Sequence, residues 1–184
     1  MTGRESLHQE PESLIEAARH YLRDLVYGAI DGIITTFAVV AGVEGGDLSA
    51  VTVLVVGMAN LLADGLSMAV GNYLSIRSHE GMRAAQQLPE EEASPARHGA
   101  ATLIAFVTAG AIPLLPYVFG ASGTEAFVAA TLLTLLSLFT VGAARSAITT
   151  DRWLPAGLEM LILGAVVAAV AYGVGAAVRS LVGA

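Results

Sequence analysis

The sequence contains no cysteine and no lysine, and few of its residues carry charge. Without cysteine, the chain can form neither a disulfide framework nor a thiolate metal site. Only 14% of its 184 residues are charged, whereas soluble domains carry about a quarter. The 9 basic residues, all arginine, are outnumbered by 16 acidic ones, which gives a net charge of -7. This balance excludes the basic patch that a nucleic-acid partner requires and favours a cationic partner.

The first 20 residues lack the basic start and apolar core of a secretory signal peptide. Ser13 followed by Glu16 fits a capping box, and apolar residues recur after it at helical spacing. We therefore predict that residues 1–24 form a cytoplasmic N-terminal segment with a short amphipathic helix. This helix is expected to lie on the membrane surface and to lead into the first span.

Long apolar runs make up most of the remaining chain, and 55% of all residues are hydrophobic. Five of these runs approach the ~20 residues with which a helix crosses a bilayer. They lie at about 25–43, 51–76, 99–118, 125–143 and 155–177. The sequence therefore predicts an all-α integral membrane protein with five transmembrane helices in one domain over 25–177. A cytoplasmic loop at 77–98 and a C-terminal tail at 178–184 complete the predicted organisation.

The arginines indicate which way the five helices cross the membrane. With five spans the chain ends lie on opposite sides, so eight arginines fall on the side of the N-terminus and one, Arg179, on the other. Because arginine-rich short loops stay in the cytoplasm, we expect the N-terminus and the 77–98 loop to be cytoplasmic. The lysine-free composition favours a bacterial inner membrane as the location.

Three carboxylates interrupt the predicted spans. An ionisable side chain near the bilayer centre costs about 2.5–3.5 kcal/mol on the insertion scale, so we expect it to face protein or water and to serve a function. At 1.5 Å per residue, Asp31 lies ~9 Å and Asp64 ~18 Å from the cytoplasmic ends of their helices, and Glu159 is shallower. The alternative is that Asp31 and Asp64 are neutral carboxyls hydrogen-bonded to a neighbouring helix.

The second span carries a stripe of polar side chains. Asn60, Asp64 and Met68 are four residues apart and share one helix face, and Asn72 continues the line toward the cytoplasm. Met68 reaches a depth of ~12 Å, comparable with Asp31, because the first two spans run antiparallel. Carboxylates, an amide oxygen and a thioether together favour a softer transition metal such as Fe2+ or Mn2+. Gap filling by Met68 and helix-to-helix hydrogen bonds by the asparagines are the alternatives.

Weaker candidates lie closer to the cytoplasmic surface. Glu159 and Met160 are near the start of the fifth span, where a carboxyl can reach water, and with Asn72 they are candidate path or gate residues. His79 and Glu80 are the candidates for the cytoplasmic mouth of a path. The loop holds further histidine and acidic side chains: Glu90, Glu91, Glu92 and His98. For the residues from His79 to His98, a solvated loop without a metal role is the more conservative interpretation.

Four sequence blocks span these helices: RDLVYGAIDGIITTFAVVAGVEG, GMANLLADGLSMAVGNYLSIRSHEG, GAIPLLPYVFG and GLEMLILGAVVAAVAYGVG. In this order, over about residues 20–177, they resemble the vacuolar iron transporter family of divalent-metal exporters. The resemblance implies a homodimer whose translocation path lies between the first and second helices of the two protomers. It also implies that Fe2+ or Mn2+ leaves the cytosol in exchange for protons.

Residue by residue, the resemblance is direct on the first helix and shifted on the second. Asp31 matches the aspartate of the family's DG pair, and Met68 matches the methionine that lines the path. Where well-studied eukaryotic members have an intramembrane glutamate, this chain has Asn60, with Asp64 one turn, about 6 Å, further on. The glutamate-rich cytoplasmic metal-binding domain of those members is missing from 77–98. Both differences resemble a shorter, prokaryotic branch of the family.

The expected function is export of a divalent transition metal for metal homeostasis and detoxification. A passive divalent-cation channel lined by the same stripe, or a non-transporting structural membrane protein, are the alternatives. No nucleophile, base and orienting residue recur together, so neither an enzyme nor a resident cofactor is expected. The expected partners are the lipid bilayer, divalent metal ions, protons and a second copy of the chain.

Overall fold

The computed structural model describes residues 6–147 and 149–183 of the chain. In these residues a short helix, α1 (Leu14–His20), precedes the long helices of a bundle. The long helices are α2 (Leu22–Gly45), α3 (Ala50–Ala85), α4 (Pro95–Gly110), α6 (Gly123–Arg145) and α7 (Trp153–Val182). A 3-10 turn at Ile112–Leu114 and the one-turn helix α5 (Leu115–Val118) extend α4.

Five helical segments are long and apolar enough to cross a membrane. They are α2, α3, the continuous stretch Pro95–Val118, α6 and α7. Each contains one of the five spans that hydropathy predicts, and α1 precedes them. The prediction of an all-α membrane protein with five spans and a short N-terminal helix is therefore confirmed.

Helix α3 is longer than the second predicted span and shortens the loop that follows it. It continues through residues 77–85, and α4 begins at Pro95, so only residues 86–94 connect the two helices. Hydropathy falls after Ile76 because the side chains become polar, yet glutamate, methionine, arginine and alanine are good helix formers. Helix α7 likewise continues to Val182, into the predicted tail. Residues 1–5 of the predicted N-terminal segment, and Ala184 of the tail, lie outside the described residues.

Helix α1 begins at the predicted cap. The Ser13 hydroxyl accepts a hydrogen bond from the Glu16 amide, and the Glu16 carboxylate accepts one from the Glu12 amide. The first bond satisfies an amide that the first turn of a helix leaves without a partner, and the second ties down the residue just before the cap. Leu14 and Ile15 remain 90% and 68% exposed, so α1 carries an apolar face that the bundle does not cover.

Helix α2 is the centre of the bundle and packs against α3, α4, α6 and α7. Its contact with α4 is made through glycine: a Cβ at Gly28 would lie 2.5 Å from the Thr102 carbonyl oxygen, and one at Gly32 2.4 Å from that of Phe106. The two backbones therefore touch directly. Because α2 and α4 both begin at the same end of the bundle, this approach also brings their first turns together.

Candidate functional site

The two intramembrane aspartates lie on neighbouring helices. Asp31 on α2 and Asp64 on α3 are both partly buried, and the two helices pack against each other. Helices α2 and α3 are antiparallel and are joined by the short connection at residues 46–49. The structure thus brings together the two carboxylates that the sequence places at different positions along two spans.

Asn60 and Met68 lie one turn to either side of Asp64 and are also partly buried. Met68 packs against the buried core cluster that includes Leu61 and Phe106. This contact is the gap-filling role expected of a flexible thioether side chain. A sulfur packed at the edge of the core remains near the face that Asp64 shares, so the structural contact and a ligand role are compatible at Met68.

Asn72 does not continue the stripe. Its side-chain amide donates to Asp24 Oδ1 at 2.7 Å and to Thr102 Oγ1 at 2.8 Å, and these bonds tie α3 to α2 and α4. Asp24 is 2% exposed and Thr102 is fully buried, so both bonds are made inside the protein. Asn72 therefore forms hydrogen bonds between helices, which is the alternative role that the sequence suggests for it.

Glu159 and Met160 lie next to each other in sequence but in different surroundings. The Glu159 side chain is 58% exposed and lies 3.5 Å from an Arg145 guanidinium nitrogen at the end of α6. Met160 is buried beside Ile33. It lines a groove of about 480 Å³ together with Asp31 and Arg145. The structure thus brings Met160 to Asp31, and leaves Glu159 as a surface ion-pair partner of Arg145.

The two residues predicted at the cytoplasmic mouth also differ from each other. His79 is exposed, and its Nε2 lies 3.4 Å from Glu91 Oε2. Glu80 is 9% exposed, and its Oε1 accepts hydrogen bonds from the backbone amides of Glu91 and Glu92, each at 3.0 Å. The Glu80 carboxylate therefore holds the 86–94 connection against α3. Glu80 is thus not a residue of a solvated loop.

A buried polar chain that starts at Asp24 was not predicted from the sequence. Asp24 Oδ2 lies 2.5 Å from His98 Nδ1, and His98 Nε2 lies 2.8 Å from Glu92 Oε2. Asp24 falls at the edge of the predicted N-terminal segment and His98 at the edge of the predicted loop, so neither was treated as part of a span. One feature could have indicated that Asp24 and His98 are close. The helices that carry them, α2 and α4, run in the same direction, and both residues lie in the first turns of their helices.

This polar chain borders a cleft of about 510 Å³ at the end of the bundle where α2 begins and α3 ends. Its lining includes four acidic residues, one arginine and three histidines: Asp24, Glu80, Glu91, Glu92, Arg23, His20, His79 and His98. Burial opposes ionisation of Glu92, but hydrogen bonds from the amide of Ser94 and from His98 hold the pKa of this carboxyl below its usual value. The cleft therefore has an anionic wall that suits a cation.

Comparison with known proteins gives one consistent result along the whole bundle. A sequence model described as the VIT family matches residues 22–93 and 80–176. The chain is 27% identical to vacuolar iron transporter 1 of Eucalyptus grandis over 89% of this chain and 88% of that protein. It is 27% identical to vacuolar iron transporter 1 of Arabidopsis thaliana over 91% and 92%, respectively.

A third relative shows where the chains differ in length. The chain is 26% identical to the vacuolar iron transporter of Toxoplasma gondii over 98% of this chain and 82% of that protein. That alignment has 247 positions, more than the 184 residues of this chain, so the relative contains residues that this chain lacks. The two segments that match the family overlap at 80–93, which places the break in the match at the α3–α4 connection.

Proposed function

The chain belongs to the vacuolar iron transporter (VIT) family, and from this membership we propose that it exports Fe2+ or Mn2+ from the cytosol in exchange for protons. Its curated relatives are named iron transporters, and none of those names describes an enzyme. The observation that carries the proposal is the pair of partly buried aspartates, Asp31 and Asp64, on two antiparallel helices of the membrane-spanning bundle that are neighbours. Metal homeostasis and detoxification are the purposes that such export serves.

Two neighbouring carboxylates in a medium of low dielectric constant repel each other unless a cation or protons neutralise them. A divalent ion between Asp31 and Asp64 removes this repulsion, and protons remove it after the ion has left. One pair of side chains thus serves two cargoes in turn. The Asn60 amide oxygen and the Met68 sulfur would complete the ligand set, and the sulfur would favour Fe2+ or Mn2+ over harder ions.

The membrane potential explains why export needs protons. Moving one charge against 100 mV costs ~2.3 kcal/mol, so moving a dication out of a negative cytosol costs about 4.6 kcal/mol. Two protons that move inward release the same free energy. The sign of this cost follows from a cytoplasmic N-terminus and a bacterial inner membrane, which the arginine distribution and the composition favour.

A second copy of the chain would complete the path. Asn60, Asp64 and Met68 are only partly buried, and the side of α3 that the bundle leaves exposed begins next to them, at Val56, Ala63 and Ser67. That exposed side continues around the helix with the large apolar residues Val51, Val55, Met58, Leu62, Leu66 and Val70. A carboxylate at the edge of a lipid-facing surface is costly, whereas a symmetric partner would cover the same patch on both chains. We therefore include a homodimer through α3 in the proposal.

Single cysteines test the dimer, because the chain has none of its own. Leu62→Cys places a thiol on the exposed face of α3, and Leu132→Cys places one on α6 at a similar exposure, 63% against 52%. A bifunctional thiol reagent in native membranes should link Leu62→Cys into dimers and leave Leu132→Cys monomeric. Equal cross-linking of the two variants would contradict an interface through α3.

Proteoliposomes test the transport mechanism. Metal uptake should release protons in the wild type, and both fluxes should vanish in Asp31→Asn and Asp64→Asn. Asp47→Asn is the matched control, since Asp47 is 68% exposed and pairs with Arg179 outside the proposed path. An imposed pH gradient should change the metal flux, whereas a passive channel would respond to the membrane potential only. Transport and proton coupling that persist in both aspartate variants would refute the mechanism.

A further inference from the structure

Three potential metal ligands meet where the N-terminal segment touches the α3–α4 connection. They are His8 in the segment before α1, His20 at the end of α1 and Glu92 in the connection. One donor atom from each lies within 4.8 Å of the other two. None of these residues belongs to the intramembrane stripe. We propose that His8, His20 and Glu92 form a binding site for a divalent transition-metal ion.

In the described residues, the histidine nitrogens have few contacts outside this cluster, and His8 Nε2 lies 3.4 Å from Glu10 Oε1 without hydrogen-bond geometry. The His8 side chain is only 6% exposed, and both of its ring nitrogens, like Nε2 of His20, are buried without a hydrogen-bond partner in the described residues. His8 Nδ1 lies 3.2 Å from Glu92 Oε1, and His20 Nε2 lies 3.3 Å from Glu92 Oε2, but neither contact has hydrogen-bond geometry. A buried imidazole nitrogen without a partner costs stability, and a metal ion would bind the lone pair of one nitrogen on each ring.

The spacing of the donor atoms fits a small coordination sphere. Bonds of 2.0–2.2 Å to nitrogen and oxygen in a tetrahedral site place neighbouring donors about 3.3–3.5 Å apart. The distances from His8 Nδ1 to Glu92 Oε1 and from His20 Nε2 to Glu92 Oε2, 3.2 and 3.3 Å, are close to this value, although each histidine faces a different oxygen of the carboxylate. The rings of His8 and His20 are edge to face with centroids 5.6 Å apart, so they do not stack in a way that would block an ion. Three protein ligands leave a fourth position for water.

Two imidazoles and one carboxylate define the class of ion. Imidazole suits Zn2+, Fe2+ and Co2+, whereas Mg2+ and Ca2+ prefer oxygen ligands alone. His98 is a neighbour but not a ligand, because its two ring nitrogens already contact Asp24 and Glu92. Through the Glu92 contact it acts as a positioning residue, which holds the Glu92 carboxylate toward the two histidines.

Further contacts hold the N-terminal segment at this place. The Leu7 amide donates to the Glu90 carbonyl at 2.7 Å, and Arg97 forms an ion pair with Glu10. An ion bound by His8, His20 and Glu92 would therefore fasten the segment and α1 to the connection between α3 and α4. From there the Glu92–His98–Asp24 contacts lead to the first turns of α4 and α2. Metal binding at this site can thus affect the bundle, although the site lies outside the proposed transport path.

Cobalt titration of the full chain in detergent tests the site directly. Four-coordinate Co2+ has intense visible d–d absorption, and the wild type should develop this spectrum and lose it when Zn2+ is added. His8→Ala and His20→Ala should weaken Co2+ binding by about 100-fold or more, since even supporting partners of metal ligands are worth 10–100-fold. His79→Ala is the matched control, because His79 lines the same cleft but is exposed and is not one of the three ligands.

Two measurements keep the proposal testable if an alanine variant folds poorly. His8→Cys should restore binding and add a sulfur-to-cobalt charge-transfer band, which is unambiguous in a chain that has no other cysteine. Hydrogen exchange at residues 6–20 should slow when Zn2+ is added to the wild type and should not slow in His20→Ala.

Three results would contradict the proposed site. The first is equal Co2+ affinity in the wild type, His8→Ala and His20→Ala. The second is a loss of Co2+ affinity in His79→Ala as large as in the ligand variants, and the third is a folded His8→Cys variant without the new band. Repeating the titration in Asp64→Asn separates this site from the path, because that variant removes a proposed path ligand only. The titration needs no transport, so its failure and a failure of the proposed exchange are distinguishable.

Discussion

The buried contact between Asp24 and His98 should be one of the strongest polar interactions in the bundle. Asp24 is 2% exposed and the His98 side chain 9%, and their closest atoms are 2.5 Å apart. Asp24→Asn keeps the shape of the side chain but removes its charge. His98→Gln removes the ring but can still form a hydrogen bond. These two variants and the double variant form a cycle that isolates the energy of the contact.

The magnitude follows from burial. Removing one partner of a buried pair costs about 3–5 kcal/mol, because the other polar group stays buried without compensation. For a chain of this length, that corresponds to an apparent Tm lower by about 6–20 °C. Asp24 also accepts a bond from Asn72, so Asp24→Asn should fall in the upper part of the range, and His98→Gln, which leaves that bond in place, in the lower part. An exposed pair, by contrast, contributes about 0–1 kcal/mol.

Asp47 and Arg179 provide the matched comparison within the same chain. Their charged atoms are 2.7 Å apart, but their side chains are 68% and 45% exposed. Thermal unfolding in detergent, followed by circular dichroism, should give a coupling energy of several kcal/mol for Asp24 with His98 and less than 1 kcal/mol for Asp47 with Arg179. Similar coupling energies in the two cycles would refute the reasoning from burial.

Three further predictions concern stability and local structure. Gly32→Ala should destabilise the protein by about 1–3 kcal/mol, because its Cβ meets the α4 backbone; Gly173→Ala, with no atom within 4 Å, should instead raise the apparent Tm. Glu80→Ala should speed hydrogen exchange at the amides of Glu91 and Glu92, which lose their acceptor, and unchanged exchange there would contradict that role. The lowered pKa of Glu92 means that its ionised form stabilises the fold above pH 4.5, and that this stabilisation is lost as the pH falls through the lower folded value. The apparent Tm of the metal-free protein should therefore fall more steeply with acidification in the wild type than in Glu92→Gln.

The number of spans and the presence of two carboxylates among them were predictable from residues alone. A helix needs about 20 apolar residues to cross a bilayer, and it satisfies its backbone groups within itself. Hydropathy therefore reports each span without reference to its neighbours. It does not report where a helix ends in water, which is why α3 runs to Ala85 through residues that hydropathy assigned to a loop.

Helical periodicity predicted the stripe on α3 only over a limited length. A step of four residues turns about 40° beyond a full circle, so three steps turn Asn72 by about 120° from Asn60. Asn72 accordingly points to Asp24 and Thr102, on the side of α2 and α4. Local sequence gives the direction of a side chain relative to its own helix. Only the packing of the bundle decides which neighbour that direction meets.

The contacts among the polar groups at the end of the bundle could be known only from the tertiary structure. Asp24 and His98 are 74 residues apart, and His8 and Glu92 lie on separate segments that come together through a backbone hydrogen bond and an ion pair. No periodic pattern links such residues, because none of them shares a helix face with its partner. The apolar composition committed the chain to five membrane helices, and the close glycine contact of α2 with α4 then determined which distant acids and histidines became neighbours.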